Sequence, residues 1–199
     1  MSRAMPILRT GRLVIRPFVR EDLDAVFQLY DVELADASMG NAGAQLREDR
    51  KVWLEWTLQG YRQLDHLYQP PYGDRAIVLA DTGALIGACG FVPCLDEFDR
   101  IPGLRATEAS AAGRASAEVG LFYGLSPAHQ GRGYATEAAR ALCDYAFQAL
   151  RLAQIIATTS RDNAASVSVM RRLGMRIEEN PFPEPPWLQV VGWLQAPRS

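Results

Sequence analysis

One short, glycine-containing loop restricts the folds that this chain can adopt. The sequence Gln130-Gly131-Arg132-Gly133-Tyr134-Ala135-Thr136-Glu137 lies between a strand-like stretch, 117–125, and a stretch of helical periodicity. Two glycines permit a tight turn and leave backbone N–H groups uncovered, and the following helix adds the positive end of its dipole. This order favours an α/β fold with an anion-binding loop. A plain strand-to-helix turn explains the same residues, so both interpretations stay open.

In the rest of the chain, segments with the two-residue periodicity of strands alternate with segments that have the 3.6-residue periodicity of helices. Leu13 and Ile15 alternate with arginines, which predicts a strand over 10–17. Apolar spacing and turn residues predict further strands over 76–80, 84–92, 117–125, 153–159 and 187–194. They also predict four helices: over 21–30, around 53–64, over 135–147 and from 163 to Gly174. The length of 199 residues fits a single domain, 1–199, of the α/β (α+β) class.

Two segments lack any period. A polar loop is expected over 36–44, and a long inserted loop over about 93–116. A structureless loop of the second kind is typical of a lid, a binding loop or a disordered segment.

Composition excludes several classes of protein. The net charge of −2 argues against a nucleic-acid partner. Because no stretch is long and apolar enough for a membrane span or a signal peptide, we expect no membrane partner. Cys89, Cys94 and Cys143 have no paired spacing and the two histidines lie far apart, so we expect reduced thiols, no metal and a cytoplasmic location.

Several motifs occur together in a characteristic order. Glu118-Val119-Gly120-Leu121-Phe122-Tyr123-Gly124-Leu125-Ser126-Pro127 precedes the glycine loop, and Asn163-Ala164-Ala165-Ser166 follows it. Gln130, Gly133 and Ala135 match the pattern Gln/Arg-x-x-Gly-x-Gly/Ala, the acetyl-CoA loop of the GCN5-related N-acetyltransferase (GNAT) superfamily, which the chain resembles outside 93–116. The segment 10–17, the Asn-x-x-Ser motif and the closing Val-Gly-Trp-Leu of 191–194 resemble the branch of ribosomal-protein N-terminal acetyltransferases (RimJ/RimL-like).

The resemblance implies a mixed, twisted sheet flanked by about four helices. The strands 117–125 and 153–159 would splay apart to admit the pantetheine arm of acetyl-CoA, while loop amides hold its pyrophosphate. The residues implied in binding acetyl-CoA are Tyr123, Leu125, Gln130, Gly131, Arg132, Gly133, Tyr134, Ala135, Thr136 and Asn163. Two of them have further interpretations, because Arg132 is also typical of a solvated arginine and Asn163 is also a helix cap.

The implied chemistry is direct attack of a neutral amine on the thioester, which places few demands on side chains. Met170 occupies the position of the tyrosine acid found in some relatives, so Ser166 is our candidate acid; a first-turn serine bonding its own backbone is the alternative. Thr158 occupies the position of a glutamate base, so Glu118 is our candidate base. A surface glutamate and a water relay remain as alternatives.

The acceptor follows from the branch resemblance alone. It implies the α-amine of a protein or peptide; a small-molecule amine (an antibiotic or a polyamine), a non-catalytic acyl-CoA sensor and a protein that binds another nucleotide are the alternatives. Residues that would line an acceptor cleft, or simply pack or face solvent, are Trp53, Trp56, Tyr61, Tyr72, Asp96, Glu97 and Asp99. We expect a monomer or a homodimer.

Overall fold

The computed structural model describes residues 6–35, 45–70, 72–104 and 115–197. The loop expected over 36–44, and residues 105–114 of the loop expected over 93–116, therefore lie outside the described residues. Over the described ranges, no helix combines the length and the apolar character needed to cross a membrane.

The described ranges contain eight strands and four α-helices. The strands are β1 (Leu8–Arg9), β2 (Leu13–Pro17), β3 (Gly73–Leu79), β4 (Leu85–Asp96), β5 (Ser116–Leu125), β6 (Gln154–Thr159), β7 (Arg176–Glu179) and β8 (Val190–Gln195). The helices are α1 (Leu23–Phe27), α2 (Arg47–His66), α3 (Tyr134–Gln148) and α4 (Ala164–Leu173). A π-helical segment, Gln28–Glu33, continues α1, and it completes the first helix predicted from the sequence.

The strands form a mixed sheet in the order β1-β2-β3-β4-β5-β6-β8-β7. Antiparallel pairs join β1 to β2, β2 to β3, β6 to β8 and β7 to β8. By contrast, β5 and β6 are parallel, with Gly120 opposite Ile156. Parallel neighbours need a crossover, which α3 supplies between them in the chain. The mixed sheet with its four helices confirms the predicted α/β (α+β) fold class.

The chain divides into two compact units. The first comprises the residues up to Gly90 together with Tyr123–Leu142. Its core confirms the alternation predicted for β2, since Leu13 and Ile15 are fully buried. The other fully buried apolar side chains of this core include Val26, Ile77, Ile86, Ala138 and Leu142.

Helix α2 contributes a charged residue to this core. Arg50 is fully buried, and its Nε and Nη2 atoms donate to Asp31 Oδ2 at 2.7 Å and Oδ1 at 2.8 Å. Its guanidinium lies 4.9 Å from the ring centre of Tyr30 and 5.0 Å from that of Trp53. A buried charge is tolerated only when it is paired and hydrogen-bonded, and the bidentate pair supplies both.

The second unit comprises Phe91–Phe122 and Cys143–Ser199. Residues 93–104, which we expected within the long loop, instead complete β4 and form two short 3-10 helices, Phe98–Arg100 and Pro102–Leu104. Phe98 and Ile101 enter a core cluster whose other fully or nearly fully buried members are Ile156, Leu188, Val191 and Trp193. Their burial explains why this segment is regular.

Capping residues determine where helix α4 begins and ends. The Asn163 side chain accepts a hydrogen bond from the Ser166 N–H at 3.0 Å, and Gly174 ends the helix in the left-handed conformation at φ +84°. Both caps were predicted from the sequence. The short, mostly polar strand β7 that follows was missed.

Candidate active site

The glycine loop has an open backbone. Gly131 and Gly133 have φ values of +73° and +81°, which L side chains rarely adopt. No atom of the described residues lies within 4 Å of a Cβ placed at Gly131. Helix α3 begins directly behind them, and its Glu137 N–H donates to the Gly133 carbonyl at 3.0 Å. The N–H groups before Glu137 precede the first such bond and have no partner inside the helix. The loop is therefore suited to bind an anion.

Two buried polar atoms beside this loop lack a hydrogen-bond partner in the part of the chain that the structure describes. Thr136 Oγ1 in the first turn of α3 and His129 Nδ1 in the preceding 3-10 turn find no hydrogen-bond partner among the described residues. Buried polar groups are nearly always bonded, so such atoms call for a ligand or water. A hydroxyl in the first helical turn suits a phosphate oxygen, and the residues therefore fit the pyrophosphate implied by the sequence.

Gln130 fixes the loop to the end of β5. Its Nε2 atom donates to the Leu125 carbonyl at 3.0 Å. The next residue, Ser126, donates its N–H to the Ile86 carbonyl on β4 at 2.9 Å. Gln130 thus holds the start of the loop through its side chain, a contact that the sequence did not predict.

The other side of the loop is held by Thr10, Arg12 and Glu137. The sequence places these residues in the segment 10–17 and in the glycine loop, but it does not predict that they contact one another. Glu137 Oε1 accepts from the Thr10 hydroxyl at 2.6 Å and from the Arg12 N–H at 3.1 Å, while Oε2 lies 2.7 Å from Arg12 Nε. Arg12 Nη1 donates to the Arg132 carbonyl at 3.1 Å, and its guanidinium lies 4.4 Å from the Tyr134 ring centre. The only available signal was the Thr-x-Arg spacing before β2.

These contacts set the charge state of Glu137. Partial burial works to raise its pKa, but hydrogen bonds from Thr10 and Arg12 outweigh it, and the pKa lies below its usual value. Glu137 is therefore a carboxylate neutralised by Arg12 at neutral pH.

The candidate catalytic residues, Glu118 and Ser166, lie in the second unit, as does Asn163. Glu118 lies near the start of β5, and its Oε2 atom accepts from Gln154 Nε2 at 3.2 Å. Ser166 lies in the first turn of α4, where its N–H is bonded to Asn163. The remaining binding candidates, Tyr123, Leu125 and the loop 130–136, lie in the first unit.

Met170 has a packing role. It is fully buried in α4, and its sulfur would lie 3.0 Å from a Cβ placed at Gly192 in β8. No polar group is available at that position to protonate a leaving thiolate. Thr158, at the position of a glutamate base in some relatives, lies in β6 opposite Val191.

The aromatic candidates of α2 separate into packing and exposed residues. Trp53 packs edge-on against Phe18 and Tyr30, with ring centres 5.8 and 5.5 Å apart, whereas Trp56 is 73% exposed. The buried face of α2 runs through Arg50, Leu54 and Thr57, so Trp53 packs at its edge while Trp56 faces solvent.

Tyr61 is bonded at its hydroxyl, which accepts from the Phe18 N–H at 3.2 Å and donates to the Asp74 carbonyl at 2.5 Å. Burial raises its pKa. Tyr61 is therefore a protonated structural link at neutral pH. Tyr72 is half-buried just before β3.

Acidic candidates at the end of β4 already have partners. Asp96 Oδ2 accepts from the indole N–H of Trp187 at 3.1 Å, and Glu97 forms an ion pair with Arg100. Arg100 offsets the negative charge that Glu97 would offer to a cationic amine, and one oxygen of Asp96 is already engaged by Trp187.

Comparison of the sequence with known proteins identifies a family. The family model described as "Acetyltransferase (GNAT) domain" matches residues 12–176. The sequence is 29% identical over 171 residues to the uncharacterized N-acetyltransferase YnaD of Bacillus subtilis, covering 86% of this chain and 83% of that protein. It is 26% identical over 167 residues to spermidine N(1)-acetyltransferase of Escherichia coli, covering 82% and 73%.

A solved structure supports the fold. RimL, a ribosomal L7/L12 α-N-protein acetyltransferase in complex with coenzyme A, superposes with a TM-score of 0.67 at 14% identity. The superposition covers 96% of this chain and 98% of that one. At this level of identity the similarity concerns the fold.

Proposed function

Since this chain belongs to the GNAT family and is an acetyl-CoA-dependent N-acetyltransferase, we propose that its acceptor is the α-amine of a protein or peptide. The RimJ/RimL-like motifs of 10–17 and 163–166 support this choice, and so does the fold shared with a ribosomal-protein acetyltransferase. A cytoplasmic location fits the free thiols of Cys89, Cys94 and Cys143.

The binding of acetyl-CoA rests on the open loop and the unpartnered hydroxyl of Thr136. The N–H groups of 131–136 would hold the pyrophosphate, with the Thr136 hydroxyl donating to a phosphate oxygen. Arg132, which is exposed, would add a charge-assisted bond. The backbone at Tyr123 and Leu125 would bond the pantetheine arm, and Asn163 would contact it while capping α4.

The acetyl thioester supplies the activated carbonyl, and the side chains have two proton tasks. We assign the removal of the amine proton to Glu118, whose carboxylate is held by Gln154, and protonation of the leaving thiolate to Ser166. A water relay is the alternative base. Neither assignment demands a strongly basic group.

A carboxylate such as Glu118 is a weak base, and this favours an α-amine as the acceptor. The pKa of an α-amine is about 7.7–8.0, so about a third of it is neutral at pH 7.5, whereas an alkyl amine with a pKa of about 10.4 is only about a thousandth neutral. Only the neutral amine attacks a thioester. With Thr158 where relatives place a glutamate, an acceptor that deprotonates by itself is the better match.

A panel of acceptors tests the proposal, with thiol release as the readout. The panel contains a peptide with a free α-amine, the same peptide with that amine blocked and a lysine left free, and spermidine. We expect kcat/KM for the free peptide to exceed both others by at least about 100-fold, in line with the difference in neutral fraction. Preference for spermidine would overturn the acceptor assignment, and CoA binding without thiol release on any amine would favour the sensor.

Matched glycine variants test the loop. Gly131 and Gly83 share φ +73° and open surroundings, so valine causes the same backbone strain at both. Gly131→Val is expected to abolish CoA binding in calorimetry, because its side chain blocks the approach of the diphosphate. Gly83→Val, in the β3–β4 turn, should bind CoA as the natural chain does. Equal affinity for CoA in the two variants would show that the loop does not bind the diphosphate.

A further inference from the structure

We propose that Arg12 is a positioning residue for the acetyl-CoA loop, an inference that rests on the proposed binding of the diphosphate at 131–136. Arg12 lies outside the loop, in the turn between β1 and β2, and its side chain is 49% exposed. The side-chain contacts described above for Arg12 reach the loop or the first turn of α3. It therefore acts on the ligand through the loop.

The first effect concerns the direction of one peptide group. In a trans peptide the carbonyl and the N–H point in opposite directions. Because the Arg132 carbonyl faces Arg12 Nη1 at 3.1 Å, the N–H of Gly133, which belongs to the same peptide, points away from Arg12. Two glycines give this loop many accessible conformations, so an external contact is needed to hold that direction.

The second effect concerns charge. Glu137 places a carboxylate in the same helical turn as the proposed phosphate site, where it would repel the ligand. Arg12 Nη2 lies 2.6 Å from Glu137 Oε2 and neutralises it. The Thr10 hydroxyl, bonded to the other oxygen, keeps the carboxylate turned toward the β1–β2 turn.

The third effect concerns the start of α3. The Arg12 guanidinium stacks on the Tyr134 ring, and its Nη2 would lie 3.5 Å from a Cβ at Gly133. The side chain thus contacts or closely approaches three consecutive residues, 132, 133 and 134. Lysine would keep the charge but lose both the planar stacking and the fork of donors.

The test compares Arg12→Ala and Arg12→Lys with Arg9→Ala, which removes an exposed arginine from neighbouring β1. CoA affinity is measured by calorimetry, and turnover is measured with acetyl-CoA and with S-acetylpantetheine, which lacks the diphosphate. We expect Arg12→Ala to raise the Kd for CoA and the KM for acetyl-CoA about tenfold, which corresponds to about 1.4 kcal/mol, with kcat within about twofold because the reacting groups are untouched.

The shortened substrate separates positioning from general damage to the fold. Arg12→Ala should leave kcat/KM for S-acetylpantetheine unchanged, Arg12→Lys should weaken CoA binding to a smaller extent, and Arg9→Ala should match the natural chain. Should Arg12→Ala not fold, Arg12→Lys carries the same comparison.

Two results would overturn the inference alone: unchanged CoA affinity in the Arg12 variants, or an equal loss with both substrates. A natural chain that binds no CoA would overturn the proposed function, and this inference with it.

Discussion

Replacing the carboxyl of the half-buried Asp74 is expected to stabilise the protein at neutral pH. Burial raises the pKa of Asp74 from 3.8 to about 6, even though the charge of Arg50 opposes the shift. The folded state therefore holds this proton more tightly than the unfolded state, and the free energy of unfolding falls as pH rises from about 4 to about 6. About two pKa units at about 1.4 kcal/mol each give about 3 kcal/mol, lost in full above pH 6.

Asparagine has the same shape and no charge, so Asp74→Asn should recover this energy at pH 7.5 and recover almost none at pH 4. Urea unfolding at intervals between these values measures the difference, and about 3 kcal/mol corresponds to about 6–12 °C in Tm for a chain of this size. Asp81→Asn, in the exposed β3–β4 turn, is the control and should show no such trend. A pH-independent difference, or an Asn variant that is less stable at pH 7.5, would refute the reasoning.

Three other changes probe a buried ion pair, a helix cap and a tightly packed glycine. Arg50→Leu should cost about 3–5 kcal/mol in urea unfolding because it leaves Asp31 charged and buried, and adding Asp31→Leu should restore much of that loss; a double variant as unstable as the single one would contradict this explanation. Asn163→Ala should cost about 1 kcal/mol by removing the cap of α4, and unchanged stability would show that the cap contributes nothing. Gly103→Ala should cost about 1–3 kcal/mol, since its Cβ would lie 2.6 Å from the buried ring of Trp193; an unchanged Tm would show that the ring can move aside.

Signals confined to neighbouring residues were readable from the sequence. Asn163 and Gly174 identified both ends of α4, and the alternation of Leu13 and Ile15 identified β2, because caps and periodicity depend on residues a few positions apart. The glycine loop was located for the same reason, since its turn and the helix behind it are contiguous in the chain.

Features made by distant residues were missed. Arg50 was not recognised as a core residue because a charge is buried only when a partner, here Asp31, is brought to it by folding. The segment 98–104 lacks any period, and its regularity comes from Phe98 and Ile101 packing in the core cluster with Val191 and Trp193. Single-sequence patterns carry no information on such partners.

Separation along the chain also explains why the role of Arg12 was not predicted, because Arg12 and its partner Glu137 are 125 residues apart.

The link between Thr10 and Glu137 has a consequence for how the protein is made. The two residues are separated by 127 positions, so at about 5–20 residues per second a ribosome needs about 6–25 s between them. During that interval the amino-terminal turn lacks Glu137, although Ala80, which donates its N–H to the Arg12 carbonyl, has already been made. A nascent chain released or cleaved before Glu137 would carry the first five strands together with α1 and α2, but it would lack nearly all of α3, the helix that the turn contacts. A fusion placed at the amino terminus would lie close to a contact completed late in synthesis.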